Sequence, residues 1–196
     1  MSNITERILK KENYTVVGAG DSHMWGEGAS GWQDALDPAY VIGEPRRLPR
    51  KIPSFLSLFE KNITKLRNDI GTTSVINSGF GCASTKKYIE CFWDEKVMVH
   101  KPDLVILEFA INDWIADRQV SVEEFRNNLE YMTSEVYRIG GDVMILTVSP
   151  ILGDQNSEDH FYSDYIEASR ELAHKDDRVI LADANINMEK YLARGN

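Results

Sequence analysis

The chain has 196 residues, 42% of them hydrophobic and 27% charged, a size and balance that suit one domain with a substantial core. Its formal net charge of -9 opposes binding to phosphate backbones, which argues against a nucleic-acid partner, and no apolar run is long enough to span a bilayer. The two cysteines, Cys82 and Cys91, form no C-x-x-C and set up neither a disulfide framework nor a thiolate zinc site, so they are expected to be reduced and partly buried.

The opening MSNITERILKKENY mixes charged and apolar residues and has no apolar core of a signal peptide, so the expected compartment is the cytoplasm. Residues 14–18 (YTVVG) read as a first strand. A long, glycine-containing connection follows over residues 25–50, carrying Trp25, Trp32, Tyr40, Arg46, Arg47 and Arg50. Loops of that length in compact domains are often functional. Residues 51–68 place Ile52, Phe55, Leu56, Phe59, Ile63 and Leu66 at helical spacing. Residues 74–77 (SVIN) read as a strand and 84–99 as a helix that carries Tyr88, Ile89, Phe92 and Val97. Residues 103–109 (DLVILEF) are a third strand. Ser121 opens an S-x-x-E capping box with Glu124, and that helix runs to Ile139, where Gly140 and Gly141 stop it. Residues 142–148 and 178–182 are the last two strands, 161–174 the helix between them, and 188–193 a short final helix.

Short, Val- and Ile-rich strands alternating with amphipathic helices predict a single three-layer α/β/α domain over residues 1–196. The expected sheet is a doubly wound, parallel, five-stranded one in the flavodoxin-like order 2-1-3-4-5. Such sheets bind ligands at the carboxyl ends of their strands. Three clusters fall there. Gly18-Ala19-Gly20-Asp21-Ser22-His23 follows the first strand, Asn77-Ser78-Gly79-Phe80-Gly81 the second, and Ala110-Ile111-Asn112-Asp113 the third. A serine can present a hydroxyl, a glycine lets the backbone approach a ligand, and an asparagine amide is a neutral donor for a developing oxyanion. Each cluster alone could equally be a turn or a helix cap.

Together, Gly20-Asp21-Ser22, Asn77-Ser78-Gly79 and Ala110-Ile111-Asn112-Asp113 resemble the GDS, N-x-G and G-x-N-D blocks of the SGNH (GDSL-type) hydrolases. The resemblance extends from the first strand to the last. It implies a serine esterase that acts on a short-chain or carbohydrate O-acetyl ester and needs no cofactor or metal. Ser22 is then the nucleophile. Its own N–H, the N–H of Gly79 and the side chain of Asn112 form the oxyanion hole. Ala110 stands where the family has glycine, a mild departure that leaves the donor in place.

The resemblance also calls for a histidine in a D-x-x-H block near the C-terminus, and none occurs here. Three explanations stand open: the sequence is part of a longer chain, another base serves, or the protein binds esters or glycans without cleaving them. Among the histidines, His23 adjoins Ser22 and reads as pocket lining, His100 sits at a helix end, and His174 pairs with Glu171 on a solvated face. His160, in the loop after the fourth strand and near Asp154, Glu158 and Asp159, is the substitute on the right edge of the sheet. A dinucleotide site is disfavoured, because His23 occupies the next glycine position of G-x-G-x-x-G and no acidic residue closes the second strand. An α/β-hydrolase elbow, G-x-S-x-G, is absent from the sequence.

Overall fold

The computed structural model describes residues 4–26, 55–68, 70–115, 120–149 and 162–194. Its strands are β1 (Tyr14–Gly20), β2 (Thr73–Asn77), β3 (Leu104–Glu108), β4 (Asp142–Leu146) and β5 (Val179–Ala182). All pair in parallel, in the order β2-β1-β3-β4-β5, as the alternation of elements predicts. β1 runs two residues beyond the expected end because Gly20 stays in register with Glu108 and its carbonyl accepts the Phe80 N–H at 2.9 Å.

Side chains alternate between the two faces of the sheet. On one face Tyr14, Val16, Val75, Leu104 and Ile106 pack with Met24, Leu56 and Ile63. On the other, Val17, Ala19, Val105, Leu107, Val143 and Ile145 pack with Tyr88, Trp93, Phe125, Leu129, Met132 and Leu172. Burial on both faces is why these strands read as nearly unbroken apolar runs. Each fully buried Leu, Val or Phe contributes roughly 1.5–3 kcal/mol.

The helices are α1 (Ile4–Lys10), α2 (Ser22–Trp25), α3 (Phe55–Arg67), α4 (Thr85–Cys91), α5 (Ile111–Trp114), α6 (Val122–Arg138), α7 (Tyr162–Lys175) and α8 (Ala184–Leu192). The capping box is present: Ser121 Oγ accepts the Glu124 N–H at 3.1 Å. The helix expected over 84–99 is not continuous. After α4 the chain widens into a π-type turn at Trp93–Val97 and tightens into a 3₁₀ turn at Met98–His100. This change of pitch lets Tyr88, Trp93 and Val97 all be buried, at 0%, 1% and 0% exposure. A straight helix of 3.6 residues per turn would carry Trp93 and Val97 together to the side opposite Tyr88. α8 starts four residues before its expected position because Asp183 caps it, accepting the Ile186 N–H at 3.1 Å. Both cysteines are exposed rather than partly buried: Cys82 lies in the turn before α4 at φ 62°, and Cys91 ends α4. Among the described residues no helix is long and apolar enough to cross a membrane.

Candidate active site

The site begins where β1 ends. A side chain at Gly18 would meet the Met24 sulfur and Leu56 at 2.7 Å, and one at Gly20 would meet the Glu108 carbonyl at 2.5 Å and Met24 Cβ at 2.6 Å. Both glycines thus give clearance for α2 to fold back over its own strand. Asp21, 1% exposed, caps that helix: its Oδ1 accepts the His23 N–H at 2.8 Å. Ser22 is the first residue of α2 and is half-buried.

Beyond β2, Asn77 ties the next loop to α2. Its Nδ2 donates to the Trp25 carbonyl at 3.1 Å, and its Oδ1 accepts the Gly79 N–H at 2.9 Å. A Cβ on Gly79 would lie 2.3 Å from the Trp25 nitrogen. Gly79 therefore sits against α2, but its N–H is directed at the Asn77 carboxamide. Tyr88 donates to the Ser78 carbonyl at 2.6 Å and Ser78 Oγ to the Lys96 carbonyl at 2.6 Å, so the loop is anchored from behind.

Beyond β3, Ala110 adopts φ 155° and ψ -48° before α5. A residue with a Cβ is strained there by about 1–3 kcal/mol. Replacing glycine by alanine is thus costlier to the backbone than the mild departure expected, although the donor that follows is kept. Asn112 is 5% exposed, and its Nδ2 donates to Asp21 Oδ2 at 2.9 Å. The three clusters therefore meet at the carboxyl ends of β2, β1 and β3, which are neighbours. Asn112 contacts the residue before Ser22, and Gly79 contacts the helix that Ser22 starts.

Two further acids lie behind this edge. Glu108, the last residue of β3, is 6% exposed, and its Oε2 has no hydrogen-bond partner among the described residues. Burial, and then the charge of Asp21, hold its carboxyl well above the usual range. Asp113 is 1% exposed. Its Oδ1 accepts the Thr85 N–H at 2.8 Å and the Thr85 hydroxyl at 2.5 Å. Burial is the largest cause of its raised pKa of about 7, opposed by the Thr85 bonds and aided by Asp21. Neither acid was singled out by sequence. Glu108 had a signal: it is the lone charge inside the apolar run LVILEFA. Asp21 and Asp113 were visible as letters of their blocks, but not as the acceptors they are.

His23 is exposed, with Nδ1 3.6 Å from Asp21 Oδ1. His100 precedes β3 and His174 precedes β5, so both lie at the amino-end edge of the sheet, away from Ser22. His174 does not take Glu171 as partner; Glu171 accepts from Arg126 at 2.7 Å. His160, Asp154, Glu158, Asp159, Trp32, Tyr40, Arg46, Arg47 and Arg50 lie outside the described residues. Trp114, two residues past Asn112, is half-buried edge-to-face against Tyr162, with ring centroids 6.0 Å apart.

No protein-family model matches the sequence, nor does any curated protein. Solved structures do match. The acetylxylan esterase Axe2 of Geobacillus stearothermophilus superposes with a TM-score of 0.72 at 15% identity, over 94% of this chain and 82% of that one. An α/β hydrolase enzyme, LAE5, from the metagenome of Lake Arreo gives 0.69 at 19% identity, over 92% and 81%. A lipase/acylhydrolase from Enterococcus faecalis gives 0.67 at 22%, over 91% and 80%. Two Axe2 structures are described as catalytic mutants, one altered at a serine and one at a histidine. This chain has the fold of the SGNH/GDSL-type hydrolases.

Proposed function

We propose that this protein hydrolyses carboxylic esters by acyl transfer to Ser22. The observation that carries the proposal is the meeting of three strand ends. A serine that starts a helix at the close of β1 stands beside an asparagine carboxamide bonded to its preceding residue and a glycine packed on its helix. In this reading the Ser22 oxygen attacks the ester carbonyl. A base takes the serine proton, negative charge gathers on the carbonyl oxygen, and the alcohol leaves with a proton as the acyl-serine forms. Water then attacks the acyl-serine to release the acid. Asn112 has two amide hydrogens, and its bond to Asp21 uses one of them, leaving the other to donate to the oxyanion. The Ser22 N–H is the second donor. Gly79 supplies the third by exchanging its bond to Asn77 for the oxyanion. Each such donor lowers the barrier by about 2.7–4 kcal/mol.

The esterases of similar fold, acetylxylan esterases among them, support a short acyl group such as acetyl on a carbohydrate. The half-buried Trp114 beside the site gives a sugar ring a face to stack on. The base is assigned to a histidine outside the described residues, with His160 the candidate in this sequence.

A purified sample should hydrolyse p-nitrophenyl acetate, and Ser22→Ala should remove that activity by 10³-fold or more on the order of triad-member deletions. A Ser22→Ala protein working at the parental rate sinks the proposal. A second reading, an ester- or glycan-binding protein without turnover, is favoured by one observation: among the described residues His23 is the sole histidine at this edge, and it points to Asp21. It predicts no hydrolysis by the unaltered chain, together with saturable binding of acetylated xylo-oligosaccharide that a bulky Ser22→Trp abolishes.

A further inference from the structure

The carboxamide of Asn112 can be turned two ways, and only one of them aids an oxyanion. With the NH2 end toward the β1–β3 junction it donates; flipped, it presents an oxygen that would repel the developing charge. Packing distinguishes the two ends poorly, since N and O are nearly the same size. The discriminating contact must be electrostatic. Asp21 provides it: its Oδ2 accepts from Asn112 Nδ2 at 2.9 Å, and its Oδ1 is held by the His23 N–H at 2.8 Å. Asp21 and Asn112 are 1% and 5% exposed, so water does not compete for either partner. The backbone holds this pair in register, because Gly20, just before Asp21, is aligned with Glu108, four residues before Asn112.

We infer that Asp21 is a positioning residue which fixes the Asn112 carboxamide with its NH2 group facing the Ser22 turn. The inference rests on the esterase reading above and deepens it. A carboxylate has only acceptor oxygens, so it accepts from Asn112 in one orientation alone. An asparagine in its place could donate to Asn112 Oδ1 instead and allow the flip. The cap of α2 would survive, since asparagine caps helices as well as aspartate does. The surroundings fit this division of labour. Asp113 is bonded to Thr85, and it is Asp21 that receives the amide.

The test is a double-variant cycle on the full chain with p-nitrophenyl acetate, using Asp21→Asn, Asn112→Ala and the two combined. Asn112→Ala should lower kcat by 10²–10³-fold, the effect of losing one oxyanion donor. Asp21→Asn should lower kcat by a similar factor and leave KM within about twofold, because the flip acts on the transition state and not on substrate binding. The pair together should be no worse than Asn112→Ala alone, since Asp21 works only through that amide. Additive losses, or an Asp21→Asn protein at the parental kcat, overturn the inference. Should Asp21→Asn fail to fold, Asp21→Ser carries the same cycle, because serine caps α2 and removes the carboxylate. Ser22→Ala in the same assay separates the two claims: loss there with none in Asp21→Asn refutes the positioning role alone, while no loss there refutes both. A readout independent of turnover is the Asn112 side-chain NH2 signal in NMR, identified by its disappearance in Asn112→Ala. It should lie at the low field typical of a carboxylate-bonded amide and move upfield in Asp21→Asn; an unmoved signal overturns the inference.

Discussion

Asp113 shows what a single buried acid does to the molecule. Its carboxyl has an ordinary value of 3.8 and is held at about 7 in the fold, first by burial. Between these values the folded state keeps a proton that the unfolded chain has lost. Stability from this group is therefore complete below about pH 4 and declines as pH rises to 7, by roughly 4 kcal/mol in all. Asp113→Asn keeps an oxygen for the Thr85 bonds and cannot ionise. In urea unfolding at pH 5, 6 and 7, the variant should gain on the parent by about 1 kcal/mol or more per pH unit; a constant difference would mean that Asp113 is already ionised. At this scale the sequence was legible in placement: Ser22, Gly79 and Asn112 all lie just past strand ends, where they were expected. It was not legible where the role depends on which way a side chain turns. Nothing in the order of residues says that Asn112 donates to Asp21, or that the Gly79 N–H rests on Asn77.

Among the elements, those with a long apolar period or a strong cap were readable, and those set by tertiary contact were not. α6 follows its sequence closely because a capping serine, an apolar stripe and a glycine pair all agree. Ser121→Ala should lower its stability by about 1 kcal/mol, seen as a lower urea midpoint with an unchanged slope; no shift would mean that the N-terminus of α6 is held by packing alone. The broken helix after α4 is the opposite case. Its residues favour a continuous helix, but burial of Trp93 and Val97 beside Tyr88 and the bond from Ser78 to the Lys96 carbonyl select another pitch. α2 and α5 are four residues each, too short for a period to register. They are also the elements that carry Ser22 and Asn112.

Across the whole molecule the two edges of the sheet divide the work. The carboxyl ends hold Ser22, Gly79 and Asn112, whereas the amino ends hold the ties that close the fold. Arg67, 1% exposed, donates to Thr73 Oγ1 at 2.8 Å, to the carbonyls of Lys11 and Glu12 at 2.7 and 3.0 Å, and to that of Ile8. It also lies over the Tyr14 ring, 5.3 Å from the centroid. One planar cation thus joins α3 to the end of α1 and the starts of β1 and β2. A lysine cannot reach so many acceptors at once. Arg67→Lys should cost about 3 kcal/mol in urea unfolding and leave KM for p-nitrophenyl acetate unchanged; an unaltered midpoint would mean that other ties carry this edge. The order of the strands was legible from alternation and handedness, but this clamp was not, because it is made mostly with main-chain carbonyls that any sequence possesses.

The second strand in the sheet, β1, has a neighbour on each side and is the first of the five to be synthesised. β1 bonds to β2 on one side and β3 on the other, and the nearer of these begins at Thr73. At about 5–20 residues per second, the ribosome delivers that neighbour only after roughly 3–12 s. Throughout that interval YTVVGAG emerges with both hydrogen-bonding edges bare, sticky toward other nascent chains. Yield in a cell is therefore expected to depend on holding chaperones and on growth temperature more than on the stability of the finished fold.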